Sequence, residues 1–274
     1  LPTDGSEKEL ADPVRRLLEP QTCQDLELLV VDQSPRHTPR TLSFLASIRD
    51  PRFRYFRTAP PSVPMAKNFA LKNARSPYLI FLDDDIIPDP QLIGIYLNTF
   101  CEMPHVSAVA GRVLQDGFPV KKNVLKFDQY AESHGVFTAT EPDFTNAFPG
   151  GNCAMRVRAA LDLGGFDTRY KDNAFREEND LSIRMARAGH LIFFQPKAEI
   201  FHLAASYGGC RVHANILDHA GFYRNELFFT LRFSDKGLRM KALYKKFHHC
   251  CISGEGKFVK RRVLFFGLGM IAAL

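Results

Sequence analysis

Short apolar runs alternate with stretches of helical spacing over the first part of the chain. Two apolar runs, residues 26–31 and 78–82, have the pattern of buried strands, and residues 53–56 and 106–113 are further strand candidates. Two intervening stretches have the spacing of helices: residues 65–74 and 92–100. Strands that alternate with helices predict βαβ units, and hence a Rossmann-like, mainly parallel central sheet flanked by helices in an α/β fold.

The pattern loosens after residue 115 and recovers at a Pro-Gly-Gly-Asn turn at residues 149–152. Two further helices and two short strands are predicted beyond this turn: residues 158–163, 180–188, 192–194 and 198–201. A helical, basic C-terminal tail follows. The sequence contains no internal repeat and no low-complexity tract.

The charge is unevenly distributed along the 274 residues, although 45% hydrophobic and 24% charged residues are typical of a globular protein. Residues 224–274 carry 11 Lys and Arg against 3 Asp and Glu, a net charge of +8, which leaves −2 for residues 1–223. An apolar run at residues 263–274 is shorter than the roughly 20 residues that span a bilayer. Two interpretations of this run stay open: an interfacial helix or the start of a truncated membrane span, and a C-terminal helix packed on the core. The basic charge of the tail suits an anionic surface such as lipid headgroups.

The six cysteines have no regular spacing and form no Cys-x-x-Cys pair, which predicts reduced thiols and a cytoplasmic protein. Because the tail is basic, the predicted location includes the cytoplasmic face of a membrane. No signal peptide is visible in the sequence. Because the chain begins at Leu1 and ends inside an apolar run, we expect a fragment of a longer protein.

Three consecutive aspartates, Asp83, Asp84 and Asp85, directly follow the apolar run at residues 78–82. Ligands of open α/β sheets bind beyond the carboxyl ends of the strands. Adjacent carboxylates repel one another unless a cation or hydrogen-bond donors neutralise them, and oxygen ligands favour Mg²⁺ or Mn²⁺. The position therefore favours a metal site over a solvated acidic loop or a helix cap.

Glu177 and Glu178 stand at the first turn of a predicted helix, in the run FREENDL. The helix dipole stabilises negative charge there, which keeps a carboxylate ionised and able to accept a proton. Simple helix capping explains the same pattern equally well.

Two weaker signals occur at residues 150–152 and at residue 202. Gly150 and Gly151 allow close approach of the backbone to a ligand, and Asn152 can donate or accept hydrogen bonds. His202 follows the predicted strand at residues 198–201, where a lone histidine is more often structural than a ligand.

The order and spacing of the motifs carry more weight than any one of them. They are, in chain order, Asp32 at a strand end, Lys67-Asn68, the three aspartates, the Gly-Gly-Asn turn, GGFD at residues 164–167, EENDLSIR at residues 177–184 and His202. This series closely resembles family 2 glycosyltransferases with the GT-A fold, over about residues 1–211. The resemblance implies transfer of a sugar from a nucleotide-diphosphate sugar to an acceptor hydroxyl with inversion, a hexosyltransferase-type activity assisted by Mg²⁺ or Mn²⁺.

The resemblance also implies roles for individual residues. Those expected to bind the donor are Thr3, Asp32, Lys67, Asp83 and Asp84. Those expected to bind the metal are Asp85, Asp83 and His202. Those expected on the acceptor side are Gly150, Gly151 and Asn152. Glu178 is expected to be the catalytic base, with Glu177 as the alternative, because Glu178 stands where the family usually has aspartate.

The same resemblance divides the chain into three parts. Residues 1–115 form the nucleotide-sugar-binding half, residues 116–223 the acceptor-binding half with the catalytic base, and residues 224–274 a basic amphipathic tail. The expected partners are a nucleotide sugar and a glycan or lipid-linked acceptor, with peripheral membrane contact through the tail. Nucleic acid is not expected, because the tail lacks a recognised module and the main part is slightly acidic.

Two other functions remain as alternatives. One is a degenerate domain that binds a nucleotide or glycan without turnover. The other is a phosphohydrolase of the haloacid dehalogenase type, in which the first aspartate after a strand is a nucleophile. The second leaves the Gly-Gly-Asn and EEND elements unexplained.

Overall fold

The computed structural model describes residues 2–3, 14–19, 21–34, 36–203, 216–249, 266–267 and 270. Most of the apolar run at residues 263–274 lies outside this part of the chain, and so do Cys210, Cys250 and Cys251. The three described cysteines, Cys23, Cys101 and Cys153, are free thiols.

The N-terminal strands form a small parallel sheet in the order β1-β2-β3. Its strands are β1 (Pro2–Thr3), β2 (Leu28–Asp32) and β3 (Phe53–Arg57). The helices of this part are α1 (residues 14–18), α2 (Pro39–Ser47) and α3 (Val63–Asn73). The β2 strand is buried along its whole length, as its continuous apolar run predicts.

A six-stranded sheet forms the centre of the molecule, with the strand order β4-β10-β6-β11-β5 and β9 paired to β11. Its strands are β4 (Tyr78–Leu82), β5 (Ile86–Pro88), β6 (Val106–Leu114), β9 (Asp143–Thr145), β10 (Asn152–Arg156) and β11 (Leu191–His202). A separate hairpin pairs β7 (Lys126–Phe127) with β8 (Ser133–His134).

Five helices accompany this sheet in the described chain: α4 (Leu92–Glu102), α5 (Val157–Asp162), α6 (Glu177–Arg187), α7 (Ile216–Phe233) and α8 (Arg239–Phe247). Buried apolar side chains form two large clusters that share the sheet. One includes Phe81, Met155 and Phe194, and the other includes Val109 and Ile200. The carboxyl ends of β4 and β11 thus rest on a packed core.

The α/β class and the central sheet flanked by helices are confirmed, but the larger sheet is mixed and not mainly parallel. Strand β10 runs antiparallel to both β4 and β6, between which it lies. It follows the glycine turn directly, without the helical crossover that a parallel neighbour requires. The expected strands at residues 192–194 and 198–201 are one strand, β11, whose register shifts between Gln195 and Glu199. Pro196 stands in this shift, where a residue without an N–H donor is tolerated.

The described part of the C-terminal tail packs on the molecule. On α7, Leu227 and Phe229 are fully buried and Phe233 is nearly so. Arg232 pairs with Asp167 and Asp180, so part of the basic charge is matched within the protein. Helices α7 and α8 are thus packed on the molecule, whereas the run at residues 263–274, to which the two interpretations apply, lies mostly outside the described residues. Among the described residues, no helix has both the length and the apolar character needed to cross a membrane.

Candidate active site

Two aspartates and a histidine come together at the carboxyl end of β4. Asp83 directly follows β4, Asp85 directly precedes β5, and His202 is the last residue of β11. Strand β11 pairs with β5 so that His202 is opposite Ile86, which brings the imidazole beside Asp85. One ligand atom from each of Asp83, Asp85 and His202 lies within 4.8 Å of the others. Two carboxylates and an imidazole at this spacing form a suitable ligand set for a divalent cation such as Mn²⁺.

The imidazole of His202 is oriented by Gln115, which follows β6. Its Nδ1 lies 3.0 Å from Oε1 of Gln115, an acceptor, so Nδ1 carries the proton. Its Nε2 then faces the carboxylates, 3.1 Å from Asp85 Oδ1 and 3.9 Å from Asp83 Oδ2. A ligand histidine held through its other nitrogen is the usual arrangement at metal sites. Gln115 could not be identified from the sequence, because a single glutamine at a strand end carries no signal.

The Gly150-Gly151 turn lies directly against the acidic cluster. A Cβ atom on Gly151 would lie 2.0 Å from Oδ2 of Asp83, so only glycine leaves room for this carboxylate. The backbone N–H of Asp83 also donates to the carbonyl of Gly151, at 3.3 Å. The glycine at residue 151 is therefore part of the architecture that positions Asp83.

Lys67 and Glu177 form a buried ion pair beside the same turn. The Nζ atom of Lys67 lies 2.5 Å from Oε1 of Glu177 and 3.1 Å from the carbonyl oxygen of Gly150. The Lys67 side chain is 4% exposed and the Glu177 side chain 1%. Burial raises the pKa of Glu177, and Lys67 opposes this rise. For Lys67, burial favours the neutral form, but Glu177, Glu178 and Asp83 raise its pKa above the ordinary value. Lys67 is therefore charged.

Glu178 lies beside Gly150 and is less enclosed than Glu177. A Cβ atom on Gly150 would lie 3.5 Å from the Cβ and Cγ of Glu178 and 3.0 Å from Nζ of Lys67. Glu178 is partly exposed, unlike Glu177. Burial raises the pKa of its carboxyl group, although Lys67 and Arg176 lower it. The glycine turn therefore lies against both Asp83 of the metal-ligand cluster and Glu178, a residue that solvent can reach.

Asp32 ends β2 as expected, but both of its carboxylate oxygens are engaged within the protein. Oδ1 accepts from the N–H of Ser34 at 2.8 Å, and Oδ2 contacts both His37 and the hydroxyl of Tyr55. Burial alone would raise the pKa of Asp32, but the hydrogen bonds from Tyr55, His37 and Ser34 lower it. The side chain is fully buried and ionised in this network.

The side chain of Asn152 is separated from the cluster, unlike the two glycines before it. Its Oδ1 accepts from the hydroxyl of Tyr96 at 2.8 Å, and its Nδ2 donates to the carbonyls of Arg112 and Ala198, each at 2.9 Å. This amide is fully buried and ties β10 to its neighbours. The structure thus places the side chain of Asn152 within the sheet region, and its expected role on the acceptor side stays a prediction.

The remaining predicted site residues are Thr3 and Asp84. Thr3 pairs with Asp32 in the parallel β1–β2 ladder, which places it at the carboxyl end of the small sheet. Asp84 is partly buried in the bend between β4 and β5 and does not belong to the three-residue cluster. The structure therefore brings together Asp83, Asp85, His202, Gly151 and, beyond the turn, the Lys67–Glu177 pair and Glu178.

Solved structures that share this fold include two that contain Mn²⁺. One is described as the crystal structure of GalNAc-T7 with UDP, GalNAc and Mn²⁺; it is 15% identical over 98% of this chain and 55% of that chain, with a TM-score of 0.69. The other is the mannosyltransferase PcManGT from Pyrobaculum calidifontis in complex with GDP-Man and Mn²⁺; it is 16% identical over 99% of this chain and 72% of that chain, with a TM-score of 0.59. This chain thus spans about half the length of the first.

The fold, with its Asp-x-Asp sequence at the end of a buried strand, is that of the GT-A glycosyltransferases. The family model described as "Glycosyl transferase family 2" matches residues 1–164, more than half of the chain. The chain therefore belongs to glycosyl transferase family 2. No curated protein matches the sequence. The matched range includes Asp83 and Asp85, whereas Glu178 and His202 lie beyond it.

Proposed function

We propose that this chain catalyses inverting transfer of a sugar from a nucleotide-diphosphate sugar to an acceptor hydroxyl, with a divalent metal ion. The observation that carries the proposal is the cluster of Asp83, Asp85 and His202 at the end of β4, one glycine turn away from Glu178. A metal-assisted inverting transfer requires a cation near the diphosphate and a base near the acceptor. Both candidate groups lie against the Gly150-Gly151 turn.

Asp83, Asp85 and His202 would hold the metal, either Mn²⁺ or Mg²⁺. Both structural neighbours contain Mn²⁺, which supports manganese as the first ion to test. A bound divalent ion supplies positive charge that stabilises the departing nucleoside diphosphate. Asp32, Thr3 and Asp84 line the donor side in this proposal, with Lys67 adding positive charge near the cluster.

Glu178 is the catalytic base in this proposal. Its carboxylate accepts the proton of the acceptor hydroxyl while that oxygen forms a bond to the anomeric carbon. The bond from the anomeric carbon to the diphosphate oxygen breaks, and the electron pair leaves with the nucleoside diphosphate. Glu177 is buried and paired with Lys67, which suits a structural role beside the base better than proton transfer.

The acceptor is a glycan or a lipid-linked sugar in this proposal. Gly150 and Gly151 are assigned to the acceptor side because their backbone lies against Glu178 and Asp83 without a side chain between. The segment that precedes this turn, residues 116–150, has exposed apolar side chains that an acceptor could contact in this proposal, including Phe118 and Val120. A hexose donor is the class to test first, because the two structural neighbours were solved with GalNAc and with GDP-Man, both hexose derivatives.

A donor-turnover assay tests the proposal. The protein is incubated with UDP- and GDP-linked hexoses and Mn²⁺, and release of the nucleoside diphosphate is measured with and without acceptor. We expect release that requires Mn²⁺ and is abolished by chelation. Metal-dependent binding of nucleotide without release from any donor would instead identify a non-catalytic binding domain.

A further inference from the structure

The loop that leads into the catalytic helix has an unfavourable backbone conformation. Asp172, Ala174 and Arg176 have φ angles of 59°, 50° and 76°, in the left-handed region that residues with a Cβ atom rarely adopt. Arg176 is the residue directly before α6, which begins with Glu177. Non-glycine residues persist in such conformations only where surrounding contacts hold them.

One face of α7 supplies these contacts. The Nδ2 atom of Asn225 donates to the carbonyl of Lys171 at 2.9 Å and to Oδ1 of Asn173 at 3.1 Å. Arg224 pairs with Asp172 at 3.1 Å. The backbone of α7 also approaches closely, because a Cβ atom on Gly221 would lie 2.8 Å from Oδ2 of Asp172. The loop is thus fixed from outside by a helix that follows it by some 40 residues in the chain.

The strongest of these contacts is an ion pair between Arg176 and Glu226. Nε of Arg176 lies 2.6 Å from Oε2 of Glu226, and Nη2 lies 3.3 Å from Oε1. The two side chains are 12% and 5% exposed. Nη1 of Arg176 donates to Oδ1 of Asn179, inside the first turn of α6, at 3.2 Å. Arg176 therefore joins α7 to the turn that contains Glu177 and Glu178.

Glu226 has a second cationic partner that does not touch the loop. Nζ of Lys246, on α8, lies 2.5 Å from Oε1 of Glu226. Burial alone would raise the pKa of Glu226, but Arg176 and Lys246 lower it to about 2, so the carboxylate is ionised. Arg176 and Lys246 are thus both nearly buried cations that neutralise the same carboxylate, and only Arg176 reaches the catalytic helix.

We propose that Glu226 is a positioning residue: through Arg176 it fixes the start of α6 and keeps the Glu178 carboxylate beside Gly150. The inference rests on the proposed function for its catalytic consequence. It assigns a role to α7, which lies outside the range matched by the family model. Glu226 is not one of the three candidate metal ligands, and in this proposal it acts through Arg176.

The test compares Glu226→Gln and Arg176→Met with the matched variant Lys246→Met in the full chain. Each change removes one member of the same buried charge cluster. We expect kcat per folded protein to fall about 10–100-fold in Glu226→Gln and Arg176→Met, because displacement of a catalytic group by about 1 Å has effects of this size. KM for the donor is expected to change less than threefold, and Lys246→Met is expected to keep kcat within twofold of the original protein.

A purely structural role would give a different result. In that case Lys246→Met and Arg176→Met would lower kcat per folded protein equally, or neither would lower it, and the positioning role would be overturned. Thermal unfolding of each variant gives the folded fraction. If Glu226→Gln cannot be purified, the comparison of Arg176→Met with Lys246→Met decides the question alone.

Amide hydrogen exchange separates this inference from the proposed function. In Glu226→Gln we expect faster exchange in peptides from residues 171–180, with no such change in Lys246→Met. If the original protein releases nucleoside diphosphate from none of the donors, the proposed function fails. The hydrogen-exchange result still tests the contact between Glu226 and Arg176 in that case. Unchanged protection of residues 171–180 in Glu226→Gln would overturn the positioning role whether or not turnover is observed.

Discussion

Lys67 and Glu177 are 110 positions apart in the chain, yet Nζ of Lys67 lies 2.5 Å from Oε1 of Glu177. This pair joins α3 to α6 behind the glycine turn. The second carboxylate oxygen of Glu177, Oε2, is buried and has no hydrogen-bond partner among the described residues. The ion pair therefore depends on a single cation, and its loss leaves a buried carboxylate without compensation.

Lys67→Met is expected to destabilise the protein by about 3–5 kcal/mol, because it leaves Glu177 buried without a counter-ion. The double variant Lys67→Met, Glu177→Gln should be more stable than Lys67→Met alone, since it removes the unpaired charge. Unfolding in urea measures both.

The stability of Lys67→Met should depend on pH. The pKa of the unpaired, buried Glu177 is raised in the folded state, so the protein binds a proton on folding, and the loss of stability should be smaller at pH 5 than at pH 8. Equal losses for the single and double variants at both pH values would contradict this account.

Glu178→Gln is expected to lower kcat by about 10²–10⁴-fold, because the amide cannot accept the acceptor proton. Binding of Mn²⁺ and of the nucleoside diphosphate should be retained, since Glu178 is not in the three-residue cluster. Steady-state kinetics and calorimetric titration measure the two effects. Asp162→Asn, which changes an exposed residue paired with Arg158, serves as the control. Near-normal kcat in Glu178→Gln would remove this residue from the role of base.

The pH dependence of kcat should reflect the environment of Glu178. Burial raises the pKa of its carboxyl group, while the charge of Lys67 lowers it. Because the base must be ionised, kcat should fall on the acid side with a midpoint above about 4.3, the value of an ordinary glutamate. Lys67→Met removes a nearby positive charge and should move the midpoint to higher pH, whereas Lys126→Met, at an exposed pair with Asp143, should not. If the midpoint of kcat in Lys67→Met moves to lower pH, the shift is opposite to the predicted one and counts against Glu178 as the base.

The glycine turn offers a matched pair of small substitutions. Gly151→Ala places a Cβ atom 2.0 Å from Oδ2 of Asp83, so this carboxylate must move; we expect Mn²⁺ affinity to fall by about 10–100-fold, as for other changes that disturb ligand orientation. Gly150→Ala places its Cβ 3.0 Å from the flexible end of Lys67, which can shift, so Mn²⁺ affinity should change little. Titration of Mn²⁺ measures both variants. The same affinity in the two would show that Gly151 does not position Asp83.

The central part of the site was predictable because its signals are local. The apolar run of β4 ends at three aspartates, and the position of a strand end in an open sheet indicates where ligands bind. The contact of His202 with Asp85 was predicted only through the resemblance, because it depends on the β11–β5 register, which a sequence does not display.

Other parts of the structure could not be predicted from local pattern. Strand β10 (Asn152–Arg156) has the sequence NCAMR, without β-branched residues, and long-range pairing with β4 and β6 makes it a strand. The basic residues of α7 and α8 suggested an anionic surface, but several pair with carboxylates that are distant in the sequence: Arg232 with Asp167 and Asp180, Lys246 with Glu226, and Lys245 with Glu132. Such pairs are set by tertiary packing.

Binding of a nucleoside diphosphate with and without Mn²⁺ tests the central claim most directly. UDP and GDP are titrated by calorimetry into the original protein and into Asp85→Ala, first with Mn²⁺ and then with chelator. The account predicts that at least one diphosphate binds the original protein only when Mn²⁺ is present, and that Asp85→Ala loses this binding while remaining folded. Equal diphosphate affinity in the presence of chelator, unchanged by Asp85→Ala, would contradict it.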